Sequence, residues 1–190
     1  MFKFKKSIEK VIRTSNSENR SYIKLRLDRN EKITALDNNY KKKFNKYINR
    51  LDINLYPNLE PVYKKLSKFL KLDRKNILIT EGVSGGIKNI LDSTNITKKT
   101  EVIVPNPSFA LYKIYAKIYD VKVKTFNYDN NFNLKVDDIF KLVSKNTSVV
   151  FLTFPNIPVE GNIDLLFINK LAKFLGKKKI LLVIDEVYFP

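Results

Sequence analysis

From Ile77 onward, short apolar runs alternate with stretches of helical period, the pattern of a parallel sheet joined by crossover helices. The runs predict strands over residues 77–80, 101–104, 121–126, 148–153 and 180–185, each rich in Val, Ile, Leu or Phe. Between them the period predicts helices over 84–92, 108–119, 136–143 and 164–176, with Gly176 placed to end the last. Two more helices, 38–51 and 61–70, precede the sheet, and a proline in its first turn opens the second. In the first of these, Phe44, Tyr47, Ile48 and Leu51 recur at helical spacing, which assigns them to a core. The fold class is α/β, with a mostly parallel sheet. Residues 1–20 are polar and read as an N-terminal arm, 21–71 as a separate helical segment and 72–190 as the α/β domain.

Composition narrows the chemistry more than the fold. A chain of 190 residues that is 44% hydrophobic can fill one substantial core or two small ones. It has no cysteine and no histidine, which excludes disulfides, thiolate metal sites and the serine–histidine constellation. Proton transfer is left to carboxylates, lysines and tyrosines, or to a cofactor with its own reactive group. The formal charge of +17 suits a nucleic-acid partner only if the basic residues share a face, and they are scattered through every segment. The densest run, Lys41 to Lys43 with Lys46 and Arg50, interleaves with the apolar face of the first helix. No stretch reaches the roughly 20 apolar residues of a membrane span, and the basic N-terminus has no apolar run behind it, so the expected location is cytoplasmic.

In open α/β sheets ligands sit outside the carboxyl ends of the strands. After the first predicted strand comes EGVSGGI, residues 81–87, where glycines let the backbone approach a ligand and Ser84 can cap a helix. A phosphate cradle and an ordinary structural turn both fit it. After the second comes VPNPSFALY, in which an aromatic early in the following helix can stack on a flat ligand, while Tyr115 and Tyr119 suit core packing. After the fourth, Pro155 and Pro158 bracket Asn156 and Ile157 in a stiff turn that can place a polar group. After the last comes Asp185, with Tyr188 three residues on. A carboxylate ending a buried strand needs a cation, either a positively charged ligand atom or one of the many lysines.

Taken in order, LDRNEK, LYPNLEP, ILITEGVSGGI, VPNPSFALY, the PNIP turn and VIDEVY resemble the fold-type I, pyridoxal-phosphate-dependent aminotransferases, class I/II, and within them the histidinol-phosphate aminotransferase group. The resemblance runs from about Leu25 to Pro190. It implies pyridoxal 5'-phosphate as cofactor, an amino donor and a keto acid as substrates, and a homodimer. Asp185 would pair with the pyridinium nitrogen and Tyr188 with the phenolic oxygen, and Tyr112 would stack on the ring. Gly82, Val83 and Ser84 would meet the phosphate, joined by Tyr56 from the partner subunit, and Asn156 belongs to the cofactor-side turn. Asn30 and Glu31 match the substrate-side motif near the start. Residues 21–71 would then belong to the small domain and dimer interface, and 72–190 to an incomplete cofactor-binding large domain.

Two departures accompany the resemblance. Ile157 stands where the family has the asparagine that bonds the phenolic oxygen, a loss of about 0.5–1.5 kcal/mol. Ser84 stands where the family often has an acidic residue. The Schiff-base lysine and the arginine that captures the substrate carboxylate match no position here; both are expected further along, so the 190-residue chain is expected to be an inactive fragment on its own. Alternatives are a degenerate, noncatalytic binding relative and, on charge alone, a basic nucleic-acid-binding module.

Overall fold

The computed structural model describes residues 11, 32, 34–97, 99–131, 133, 135, 137–157, 159 and 163–188. They fall into two compact units, one holding the described residues between 16 and 78, the other Val11 and the described residues from Ile79 onward.

The second unit is an α/β layer structure. Strands β1 (Glu101–Asn106), β2 (Lys122–Asn127), β3 (Thr147–Thr153) and β4 (Leu181–Asp185) form a four-stranded sheet in the order β2-β1-β3-β4, parallel throughout. Helices α3 (Gly82–Ser93), α4 (Leu111–Ile118), α5 (Asp138–Leu142) and α6 (Leu165–Lys177) complete it. Alternate strand residues face opposite ways, so each face of the sheet has its own core. Val102, Val104, Val149 and Phe151 pack with Ile87 and Leu91 of α3 and with Tyr112 and Ala116 of α4. Ile103, Val150 and Leu152 pack on the other side with Ile139 of α5 and with Leu171 and Leu175 of α6. The central strands β1 and β3 are therefore almost continuously apolar, as strands covered on both faces must be.

The strand predicted over 77–80 does not form. A short 3-10 turn, Arg74–Asn76, precedes this segment, which is irregular, with Leu78 70% exposed. Its apolar run is competent for a strand, but no described strand lies beside it to complete a ladder. Gly176 does not end α6. The helix runs on to Lys177, and Lys179 takes the left-handed conformation (φ 58°), so that the Ile180 N–H can reach the Leu175 carbonyl at 3.0 Å. Asp164 caps α6 from outside, its Oδ1 accepting from the Leu166 N–H at 3.0 Å.

The first unit holds α1 (Asn38–Ile48) and α2 (Glu60–Leu70). Asp37 caps α1, its side chain accepting from the N–H groups of Asn39 and Tyr40. The core expected around Phe44, Tyr47, Ile48 and Leu51 is absent: α1 buries no residue, and Tyr47 is 68% exposed. Helical periodicity identifies an apolar face, not what covers it. In α2 Tyr63 is buried, and the Arg74 guanidinium lies 3.3 Å from its ring centre while bonding Glu60 at 3.1 Å. Among the described residues no helix is long and apolar enough to cross a membrane.

Candidate active site

Asp185 is the last residue of β4, and the parallel register sets it beside Thr153 at the end of β3. The Phe154 N–H donates to the Asp185 carbonyl at 2.9 Å, which closes the ladder there. The aspartate is only 7% exposed. Its Oδ1 accepts the Val187 N–H at 3.1 Å and its Oδ2 accepts the Tyr112 hydroxyl. Both donors are neutral, and no lysine or arginine pairs with Asp185 among the described residues. Each carboxylate oxygen keeps further acceptor capacity beyond these bonds.

Tyr112 comes from the first turn of α4. Its ring is buried, 4.9 Å from the ring of Phe151, and its hydroxyl also lies 3.1 Å from Thr153 Oγ1. Burial, reinforced by the bond to Asp185, holds this phenol well above the ordinary tyrosine range. Thr153 Oγ1 lies 3.4 Å from Ser108 Oγ, which donates to Asn156 Oδ1 at 2.7 Å. The Asn156 amide donates to the Pro107 carbonyl at 2.9 Å and to the Tyr128 hydroxyl. One polar chain thus links the PNIP turn to Asp185 behind the strand ends. The peptide bonds before Pro107 and Pro155, which shape the two turns involved, are cis.

The structure brings Tyr112, Asn156 and Asp185 into this single cluster. Gly82, Val83 and Ser84 form the first turn of α3, where Gly82 (φ +65°) adopts a conformation that favours glycine. Ser84 is not the cap expected: the helix starts two residues earlier, after Glu81, and no side chain caps it. Its first N–H groups are therefore not taken up by a capping side chain. Val83 packs against the core cluster that contains Tyr112, so this helix end belongs to the same layer. Tyr188 lies in the turn after Asp185 and is exposed. Tyr56 belongs to the other unit and is fully exposed. Asn30 and Glu31 lie outside the described residues.

Ser108, Tyr128 and Thr153 carried no expectation of a site role, while Phe109 belongs to the aromatics of the helix start from which a stacking ring was expected. Phe109 stands just before α4, 43% exposed, edge-on to Tyr112 with ring centres 6.1 Å apart. Where Tyr112 was expected to offer a stacking face, its ring is covered, and Phe109 is the ring left open. Thr153 could have been found by aligning strand ends, since it is the register partner of Asp185. Ile157 points outward, 45% exposed, beside an inward Asn156 that is 2% exposed.

A model of the family described as aminotransferase class I and II matches residues 23–189. The chain belongs to this family. It is 30% identical over 190 residues to the histidinol-phosphate aminotransferase of Clostridium novyi (strain NT), covering 97% of this chain and 51% of that protein. It is 35% identical over 142 residues to the histidinol-phosphate aminotransferase of Pelagibacter ubique (strain HTCC1062), covering 74% and 39%. The chain therefore spans about half the length, or less, of these relatives. Among solved structures it resembles the histidinol-phosphate aminotransferase from Sinorhizobium meliloti in complex with pyridoxal-5'-phosphate, at a TM-score of 0.61 and 19% identity over 67% of this chain and 34% of that one. At that identity the likeness shows the fold: the α/β fold of the aminotransferases, with its parallel sheet.

Proposed function

We propose that this aminotransferase-family chain supplies the cofactor-binding portion of a pyridoxal-phosphate-dependent enzyme that transfers an amino group between an amino acid or amino phosphate ester and a keto acid, like the histidinol-phosphate aminotransferases. The observation that carries the reading is Asp185, a buried carboxylate with neutral donors on both oxygens and no lysine or arginine paired with it among the described residues. Such a group costs desolvation energy until a positive charge meets it, and a protonated ring nitrogen has the right charge and a single N–H to give. The residues present fit pyridoxal phosphate on a second count, the uncapped N-terminus of α3, where backbone N–H groups suit a phosphate.

When bound, the protonated ring would act as the electron sink for a carbanion at the amino-acid carbon. The chain's own residues do the holding. Asp185 keeps the ring nitrogen protonated, and Val83 and Ser84 bind the phosphate. Phe109 offers a ring face, a part that the buried Tyr112 is not placed to play. Tyr188 donates to the phenolic oxygen, the bond that Ile157 cannot make. In a homodimer Tyr56 reaches the partner subunit's phosphate, and Asn30 lies on the substrate side. Residues 72–190 then form part of the large domain and 21–71 the small-domain and dimer segment, in a cytoplasmic enzyme.

Titrating the chain with pyridoxal phosphate and following the cofactor's absorbance tests the reading. Asp185→Asn is expected to weaken binding about 10- to 100-fold, the worth of a charge-assisted hydrogen bond. Equal binding by both proteins would sink it. A second reading, a noncatalytic relative that keeps the fold for binding, is favoured by Ile157, and absence of pyridoxal phosphate binding would favour it over the first.

A further inference from the structure

In the buried chain from Asp185 to Asn156 every hydroxyl and amide proton but that of Thr153 is committed by its partners. An ionised Asp185 can only accept, so the single Tyr112 hydroxyl proton is committed to Oδ2 and the Tyr112 oxygen becomes an acceptor. At the far end Asn156 presents its carbonyl oxygen to Ser108, because its amide protons go to the Pro107 carbonyl and to Tyr128. The Ser108 proton is therefore committed as well, and Ser108 Oγ is left as an acceptor. Thr153 stands between the two with one proton to give, 3.1 Å from the Tyr112 oxygen and 3.4 Å from that of Ser108. The shorter contact directs it to Tyr112.

We propose that Tyr112 is a positioning residue for Asp185, with Thr153 fixing the Tyr112 hydroxyl as a donor, so that the carboxylate is held at one angle toward its ligand. The inference rests on the reading of Asp185 as the partner of a ring nitrogen. Packing alone does not account for the hydroxyl: the ring is fully buried against Phe151, and a phenylalanine would fill the same space. The Val187 N–H clamps Oδ1 from the backbone and Tyr112 clamps Oδ2 from α4, which leaves the carboxylate little freedom to turn about its own bond. Because Ser108 and Asn156 continue the chain, the PNIP turn is braced by the same bonds, through the side chain that precedes Ile157.

The test compares the affinity of the chain for pyridoxal phosphate with that for the analogue in which a C–H replaces the ring nitrogen. The ratio of the two isolates the Asp185–nitrogen contact from everything else the site does. Wild type should favour pyridoxal phosphate, and Asp185→Asn should abolish that preference. Tyr112→Phe should reduce the ratio about 5-fold and Thr153→Val about 2-fold, while affinity for the analogue stays the same. Thr153→Val leaves the Tyr112 ring in place, so it decides the matter if Tyr112→Phe does not fold. A variant that loses affinity for both compounds equally, with the ratio unchanged, would reduce Tyr112 to a packing residue and overturn the inference alone. A wild type with no preference between the two compounds would overturn the reading of Asp185, and the inference with it.

Discussion

Two buried carboxylates sit at opposite ends of the same sheet and are treated in opposite ways. Glu101, the first residue of β1, is 5% exposed; Lys124 meets it at 2.7 Å, Lys122 at 3.5 Å and the Ser144 hydroxyl at 2.6 Å. Asp185, the last residue of β4, is buried to a similar degree and has a phenol and a backbone N–H but, among the described residues, no cation. Burial pushes the Glu101 carboxyl upward, yet the hydrogen bonds from Lys124 and Ser144 and the nearby lysine charges prevail and hold it below the usual glutamate range. The amino end of the sheet is electrostatically complete, whereas the carboxyl end, where an α/β fold binds its ligands, keeps an open negative charge.

The largest effect that would sharpen this contrast is at Glu101. Replacing it with Gln removes the charge-assisted bonds and leaves the partly buried Lys124 without its counter-charge, held among the described residues only by the Leu142 carbonyl at 3.0 Å, a loss of about 2 kcal/mol in urea unfolding. A change under about 0.5 kcal/mol would mean that the ion cluster contributes little. The pH dependence follows with a defined sign. Because the folded glutamate titrates below its unfolded value, its contribution is present above the unfolded pKa and is lost as pH falls through the folded one. Wild type should therefore lose stability faster than Glu101→Gln on acidification below about pH 4.5, as read from urea midpoints; parallel curves would contradict the assignment. The smallest effect is at the other end of the sheet. Ile157→Asn should tighten pyridoxal phosphate about 2- to 10-fold by restoring a neutral hydrogen bond. Because the side chain is 45% exposed, unfolding should shift by less than about 0.5 kcal/mol.

Much of the second unit was legible in the sequence because its strands carry short apolar runs, near-continuous in the central β1 and β3. The runs at 101–104, 121–126, 148–153 and 180–185 all became strands, with boundaries moved by at most two residues. The run at 77–80 carried the same signal and failed, since an apolar run states what a segment can do and a ladder needs a neighbour. The aromatic face of α1 failed in the same way. In the site, Asp185 stood out because a charge ending a buried strand is costly and needs a reason. Thr153 and Ser108 gave no such signal: a threonine in a strand or a serine before a helix is ordinary, and only the register of β3 against β4 makes Thr153 a neighbour of Asp185. Tyr112 and Phe109 were separable only by burial, which the three-residue offset between them decides but does not display.

The most direct measurement is the ligand-free unfolding free energy of Asp185→Asn beside that of Glu101→Gln. A carboxylate kept for a ligand's cation is a burden to the empty protein, so neutralising it should leave stability within about 1 kcal/mol of wild type or raise it, the relieved desolvation offsetting one lost hydrogen bond. If Asp185→Asn instead destabilises the chain by as much as Glu101→Gln does, Asp185 is a structural group like its counterpart at the other end of the sheet, and the account is contradicted.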